Sequence, residues 1–169
     1  MAEPDDFRDY PETLAQSTLN PAIVYRRSDD LIAVRGPRGR SGHEGLVLTV
    51  TGDDGESIAV YRGGPAERAA WAADAVAIAP VYTLATRIAV PSGRVFVRFR
   101  DGVPATAKRE DLRRAGYRIT ATLGYAPNAA WLEADDGRLA SALANVHRLE
   151  AVSDVVNAEP QLLAPRVPR

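Results

Sequence analysis

Strand and helix patterns alternate between residues 94 and 158, and their order constrains the fold more than any other feature of this chain. Residues 94–100 alternate between two faces, with Val95, Val97 and Phe99 on one of them, which predicts a half-buried strand. The patterns that follow are helix 106–115, strand 117–123, strand 129–134, helix 138–150 and strand 152–158. The order β-α-β-β-α-β is that of a ferredoxin-like sandwich, with both helices on one face of a four-stranded sheet.

The segment before residue 93 has a different pattern. Short apolar runs separated by turn residues predict a small β-rich domain with one helix over residues 21–92. Within it, Ser28-Asp29-Asp30 predicts a turn between two strands, and Pro91-Ser92-Gly93 predicts a domain boundary. We therefore expect an α+β protein, in which a C-terminal ferredoxin-like βαββαβ sandwich is preceded by a small β-rich domain.

The predicted domain organisation has four parts. Residues 1–20 are acidic and contain two prolines, which predicts a flexible arm, and residues 161–169 also contain two prolines, which predicts an extended C-terminal tail. Between them lie the β-rich domain, 21–92, and the ferredoxin-fold domain, 93–160.

One face of the predicted ferredoxin-like sheet has no helix to cover it. The alternation of side chains along a strand points eight residues to that face, namely Phe96, Arg98, Arg100, Arg118, Thr120, Thr122, Trp131 and Glu133. Aromatic rings among mixed charges on an open face are typical of a binding surface. The alternative is that the β-rich domain covers this face, and the sequence leaves both interpretations open.

The composition narrows the classes of function. The 169 residues include no cysteine, which excludes disulfides, thiolate metal sites and thiol nucleophiles. The net charge of −1 argues against nucleic-acid binding, and strand 94–100 lacks the full aromatic set of an RNA-binding sheet. His43 has a serine and a glutamate nearby in a glycine-rich loop, but neighbours in sequence do not make a catalytic triad. We predict no enzymatic activity, no metal and no cofactor.

The N-terminal sequence bears on location. The first nine residues are acidic and contain no apolar run of the kind that a secretory signal needs. No stretch approaches the roughly 20 apolar residues of a membrane-spanning helix. The sequence therefore predicts a cytoplasmic protein without a membrane partner.

Four stretches of the C-terminal half resemble the propeptide and propeptide-like inhibitor family of subtilisin-type serine proteases. They are VFVRFRDGV at 95–103, LRRAGYRI at 112–119, ALAN at 142–145 and VVNAEP at 155–160. The last, a strand that ends in Ala158-Glu159-Pro160, is the most specific of them. The resemblance covers residues 93–169, and a β-rich segment ahead of such a module is also similar to the N-terminal region of some bacterial subtilases.

The resemblance implies a non-catalytic protein that binds a subtilisin-like serine protease, as an inhibitor or as an intramolecular or trans-acting chaperone. It implies that the open sheet face, with Phe96, Arg98 and Trp131, packs against two surface helices of the protease. Acidic side chains, here Glu133 and Glu159, would cap the N-termini of those helices. The tail would enter the substrate cleft like a product, which assigns protease contacts to Gln161, Leu162, Leu163 and Ala164. The alternative function is a protein-interaction or scaffold module of a multiprotein assembly.

Overall fold

The computed structural model describes residues 7–35, 44–73 and 77–166. Its strands are β1 (Thr13–Ala15), β2 (Val24–Arg35), β3 (Leu46–Thr51), β4 (Ser57–Arg62), β5 (Ala77–Leu84), β6 (Arg87–Phe99), β7 (Tyr117–Leu123), β8 (Ala126–Ala134) and β9 (Val155–Leu163). Its helices are α1 (Pro65–Ala73), α2 (Arg109–Arg114), α3 (Leu139–Ala144) and α4 (Val146–Leu149), with a 3-10 helix at Ala105–Lys108.

In the described part of the chain, these strands form a nine-stranded sheet that is mostly antiparallel. Hydrogen-bonded neighbours follow the order β3-β4-β2-β5-β6-β8-β7, while β1 pairs with β2 and β9 pairs with β6. Strand β6 takes part in several of these pairings. Its first part pairs with β5, where Ala89 lies opposite Tyr82, and its last part pairs with β8, where Val95 lies opposite Leu132.

The fold class predicted from the sequence, α+β with a C-terminal ferredoxin-like βαββαβ sandwich, is wrong. The described residues are 49% strand and 19% helix, so the protein is a β-rich sheet with few helices. One reason is that strand β6 continues through Pro91, Ser92 and Gly93, so that the strands before and after this point join one sheet, although the two compact units do divide between Pro91 and Ser92. A proline can lie in a strand where no partner needs its missing N–H. The carbonyl oxygen of Pro91 still takes part in hydrogen bonding, because it accepts a 2.6 Å hydrogen bond from Nη2 of Arg35.

Each of the two helices predicted in the C-terminal half is divided into two short helical segments. The first predicted helix there divides into the 3-10 helix and α2, and the second is interrupted at Asn145, whose φ of −96° and ψ of 2° are not helical. The turn predicted at Ser28-Asp29-Asp30 is also absent from this described segment, because β2 runs through it as a single strand. Its pairing with β5 shifts register between Arg27 and Ile32, so an irregularity in the strand takes the place of a turn.

The chain divides into two compact units. The first contains the described residues within Met1–Arg8, Arg26–Pro91 and Leu162–Arg169, and the second contains Asp9–Tyr25 and Ser92–Gln161. Part of the segment predicted as a flexible arm is thus assigned to the second unit, where Leu14 of β1 is buried. The predicted four-part division stays a prediction.

Each unit buries its own apolar side chains. In the first unit, Val60, Val81 and Tyr82 are fully buried, and the Trp71 ring of α1 lies 5.1 Å from the Tyr61 ring of β4. In the second unit, one side of the sheet packs on the helices through a cluster of fully buried side chains that includes Val95, Val97, Phe99, Leu112, Tyr117, Leu132 and Leu149.

A charged cluster holds the turn that leads into β9. Asp154 has a φ of 70°, in the left-handed region that is uncommon for residues other than glycine. Its carboxylate accepts hydrogen bonds from the Arg100 guanidinium and lies 2.9 Å from Nζ of Lys108, which also donates to Oγ of Ser153 at 2.8 Å. Hydrogen bonds from Lys108 and Arg100 lower the pKa of Asp154 below its usual 3.8.

The Asp154→Asn variant tests this cluster. Asparagine tolerates the left-handed backbone but carries no charge, so we expect the variant to be less stable than the wild type at neutral pH. Because the pKa of Asp154 is lower in the folded protein than in the unfolded chain, the stabilisation is complete above pH 3.8 and is lost as the pH falls through the folded-state pKa. Urea unfolding at neutral pH and in acid should therefore show a stability difference that disappears in acid. A difference that is equal at both pH values would contradict an electrostatic role.

Candidate functional site

The candidate site lies on the sheet face of the second unit that points away from the helix-packed core. Side chains alternate along a strand, so the burial of Val95 and Val97 on β6 directs Phe96 to the opposite face. On β8 the burial of Leu132 directs Trp131 and Glu133 to the same face. The register agrees, because Phe96 lies directly opposite Trp131, and Arg118 of β7 lies opposite Glu133.

Two aromatic rings form the centre of this face. The Phe96 and Trp131 rings meet edge to face, with centroids 5.4 Å apart and an interplanar angle of 65°. The Arg94 guanidinium lies 4.5 Å from the centroid of the Trp131 ring, in the position of a cation–π contact. Both rings are half-buried. The arrangement places two partly exposed aromatic rings beside a positive charge.

Polar side chains border the aromatic pair. Nη2 of Arg118 lies 3.3 Å from Oε2 of Glu133, and the two side chains keep 52% and 42% of their surface exposed. An exposed ion pair of this kind contributes about 0–1 kcal/mol, so a partner can replace it at low cost. Arg98, two residues after Phe96 on β6, lies on the same face and is exposed. We call the whole set the Trp131 surface, which consists of Arg94, Phe96, Arg98, Arg118, Trp131 and Glu133.

Glu159 of β9 points away from the core of the second unit. Its neighbour Ala158 is fully buried in that core, so strand alternation directs Glu159 to the other face. Nδ2 of Asn157 donates a 3.4 Å hydrogen bond to Oε2 of Glu159, which orients the carboxylate along the strand. The side chain is half-buried.

The predicted tail residues lie in two different environments. Gln161 ends the second unit, and its Oε1 accepts a 2.7 Å hydrogen bond from Oγ of Ser92. Leu162 and Leu163 are the last residues of β9, are half-buried and belong to the first unit. Ala164 follows the strand and is exposed. Of the predicted contact residues, Phe96, Arg98, Trp131 and Glu133 therefore form one surface, and the other five lie along β9 and just beyond it.

One residue of the Trp131 surface, Arg94, was not predicted from the sequence. Arg94 lies two positions before Phe96 on the same strand, so strand alternation alone could have placed it on this face. Arg100, by contrast, has the alternation of a surface residue but its guanidinium binds Asp154.

Two observations concern the histidines and the acidic side chains of the described residues. His147 is exposed, and its Nδ1 lies 2.9 Å from the Ala144 carbonyl oxygen. Within residues 7–35, 44–73 and 77–166, no three side chains of histidine, cysteine, aspartate or glutamate cluster where they could share a metal ion. His43 and Ser41 lie outside the described residues. The predicted lack of enzymatic activity stays a prediction.

The helices of the described segments are all too short or too polar to cross a bilayer. The cytoplasmic location inferred from the sequence stays a prediction.

Comparison of the chain with known protein families, with curated proteins and with solved structures finds no match. The resemblance to subtilisin propeptides therefore stays a hypothesis that rests on the residues quoted for it.

A double-mutant cycle tests the geometry of the Trp131 surface. Edge-to-face aromatic pairs contribute about 0.5–1.5 kcal/mol beyond the area that they bury. Unfolding free energies of Phe96→Ala, Trp131→Ala and the double variant should therefore show a coupling energy of about that size. Strictly additive effects would show that the two rings do not interact.

Proposed function

We propose that this chain is a non-catalytic protein that binds a subtilisin-like serine protease, as its inhibitor or chaperone, and that the Trp131 surface is its main contact. The observation that supports this best is the Phe96–Trp131 pair with Arg94 over the indole ring. Tryptophan and arginine are the residues most enriched among those that dominate binding energy at protein interfaces. The aromatic pair and the cation are already in place, so little side-chain entropy remains to be lost on binding.

The polar border supports a protein partner. Glu133 and Glu159 are carboxylates on the face away from the core, and carboxylates bind favourably to the unpaired N–H groups at helix N-termini. Glu133 is held by an exposed ion pair with Arg118, which a helix N-terminus could replace. The resemblance of 95–103 and 155–160 to subtilase propeptides is what names the protease as the partner.

The length of β9 shortens the segment that could enter a protease cleft. The strand continues to Leu163, so Gln161, Leu162 and Leu163 are strand residues in this structure. A segment that enters a substrate cleft would then begin at Ala164 and contain Pro165 and Arg166. The prolines limit its conformations, which reduces the entropy lost on binding.

A pull-down from the native host tests the protease partner. Bound proteins are eluted, separated from this chain, labelled with a fluorophosphonate, which reacts with active-site serines, and identified by mass spectrometry. We expect a subtilisin-like protease to be captured by the wild type. Trp131→Ala should weaken its binding at least about 30-fold, the equivalent of about 2 kcal/mol for a dominant interface residue.

The matched control is Tyr125→Ala, which removes an aromatic ring that is 88% exposed at the β7–β8 hairpin and outside the Trp131 surface. We expect this variant to bind like the wild type. If both variants capture the protease equally well, the Trp131 surface is not the contact. If no subtilisin-like protease is captured at all, the alternative of a scaffold module in another assembly is favoured.

Truncation after Leu163 separates binding from inhibition. The shortened chain keeps all of β9, so its fold should be unchanged. With the captured protease and a chromogenic peptide substrate, we expect the truncated chain to bind but to inhibit at least tenfold less than the full chain. Equal inhibition by both chains would show that the residues after Leu163 do not enter the cleft.

A further inference from the structure

A cavity lies beside α3 and α4 in the second unit. Its volume is about 290 Å³, near the lower end of the ~300–1,000 Å³ that is typical of small-molecule sites. Its wall is formed by the N-terminal segment 11–21, by residues 143–150 and by Pro160 of β9. All of these residues belong to the second unit, and none of them belongs to the Trp131 surface. The cavity is thus a separate site with room for one small molecule.

Hydrogen bonds hold the N-terminal wall of the cavity in place. The Thr18 N–H donates to the Ala158 carbonyl oxygen at 2.9 Å, and the Ala158 N–H donates to Oγ1 of Thr18, also at 2.9 Å. The Gln16 N–H donates to the Ile23 carbonyl oxygen at 2.8 Å, and Leu14 is buried. The wall is therefore formed in the free protein, so binding of a ligand does not have to order this segment.

The buried part of the wall is mainly apolar. Of the lining residues that are buried, three are apolar, namely Leu14, Leu143 and Pro160. The fourth is Ser17, whose Oγ already accepts a 3.1 Å hydrogen bond from the Asn20 N–H. An apolar group that enters this part of the cavity from water is stabilised by its burial.

The exposed part of the wall offers hydrogen-bond acceptors. His147 and Glu150 line it one helical turn apart, and the Glu150 N–H donates to the His147 carbonyl oxygen at 3.3 Å. Nδ1 of His147 lies 2.9 Å from the Ala144 carbonyl oxygen, which can only accept. Nδ1 therefore carries the proton, and Nε2 of the neutral ring is an acceptor.

The charge of the wall is negative. Glu150 is the only aspartate, glutamate, lysine or arginine among the described residues that line the cavity. No ion pair between residues that the structure describes involves its carboxylate. A ligand with a positive charge would therefore find an available carboxylate, whereas a small carboxylate would meet a like charge.

We propose that this cavity binds a small organic cation, with an apolar body and one ammonium group. The apolar body contacts Leu14, Leu143 and Pro160, and the ammonium group donates hydrogen bonds to the Glu150 carboxylate and to Nε2 of His147. Hydrogen bonds between charged groups are roughly twice as strong as those between neutral ones, so the charge of the ligand should dominate its selection. The site shares no residue with the Trp131 surface, so the proposal does not depend on the protease partner.

Proton NMR of the His147 ring tests the proposal. The chain contains two histidines, and a His43→Gln variant assigns the Hε1 resonance of His147. The probes are phenethylamine, phenethyl alcohol and phenylpropionate, which carry a positive, no and a negative charge on similar apolar bodies. We expect phenethylamine to shift the His147 resonance with a Kd at least about tenfold lower than that of the alcohol. Phenylpropionate should bind more weakly than both.

Three variants locate the bound cation. Glu150→Gln keeps the size of the side chain but removes its charge, so it should weaken phenethylamine binding at least about tenfold and leave the alcohol unchanged. Glu110→Gln removes the same charge from α2, outside the cavity, and should bind phenethylamine like the wild type. Ala144→Leu adds an apolar side chain at the cavity wall and should weaken the binding of both probes.

Three results would overturn the proposal. The first is a His147 resonance that phenethylamine does not shift at any soluble concentration. The second is binding of the alcohol or of phenylpropionate that is as tight as that of phenethylamine. The third is a Glu150→Gln variant that unfolds at the same urea concentration as the wild type and binds phenethylamine equally well.

Discussion

The register between β6 and β8 is the constraint on which the second unit depends. Val95 lies opposite Leu132, and Phe96 lies opposite Trp131, so one alignment determines both the core and the Trp131 surface. A slip of one residue would reverse the two faces and bring Phe96 and the charge of Arg98 into the core. The burial of Val95, Val97 and Phe99 under the helices makes that slip costly. The same hydrophobic contacts that stabilise the unit therefore hold the two aromatic rings together on its outer face.

Much of the local structure of residues 94–158 could be predicted, because period-two alternation reports which face of a strand is buried. That pattern placed Phe96, Arg98, Trp131 and Glu133 on one face, and the structure brings them together there. The fold class could not be predicted in the same way. Proline, serine and glycine at 91–93 have the composition of a linker, but strand β6 runs through them because its backbone is paired on both sides of that point. Whether a strand continues depends on such long-range pairing, which composition does not report.

The errors in the helical segments and in the site have a similar origin. Helical spacing over 138–150 does not reveal that Asn145 leaves the helical conformation, since that depends on how α3 and α4 pack. Strand alternation is compatible with Arg94 on the Trp131 surface, but the position of its guanidinium over the Trp131 ring is a tertiary contact that the sequence does not report. The direction of Glu159 required the structure, because it follows from the burial of Ala158. The sequence also did not show that β9 extends to Leu163, so the first three residues of the predicted tail belong to a strand.

The central claim is that Trp131 lies at the contact with a subtilisin-like protease, and fluorine NMR tests it most directly. The chain contains two tryptophans, of which Trp71 is buried against Tyr61 in the first unit. A chain labelled with 5-fluorotryptophan should give two resonances, which a Trp71→Phe variant assigns. On addition of the unlabelled, active-site-blocked protease captured from the host, the account predicts that the Trp131 resonance shifts or broadens while that of Trp71 stays in place. A Trp131 resonance that is unchanged at saturating protease would contradict it.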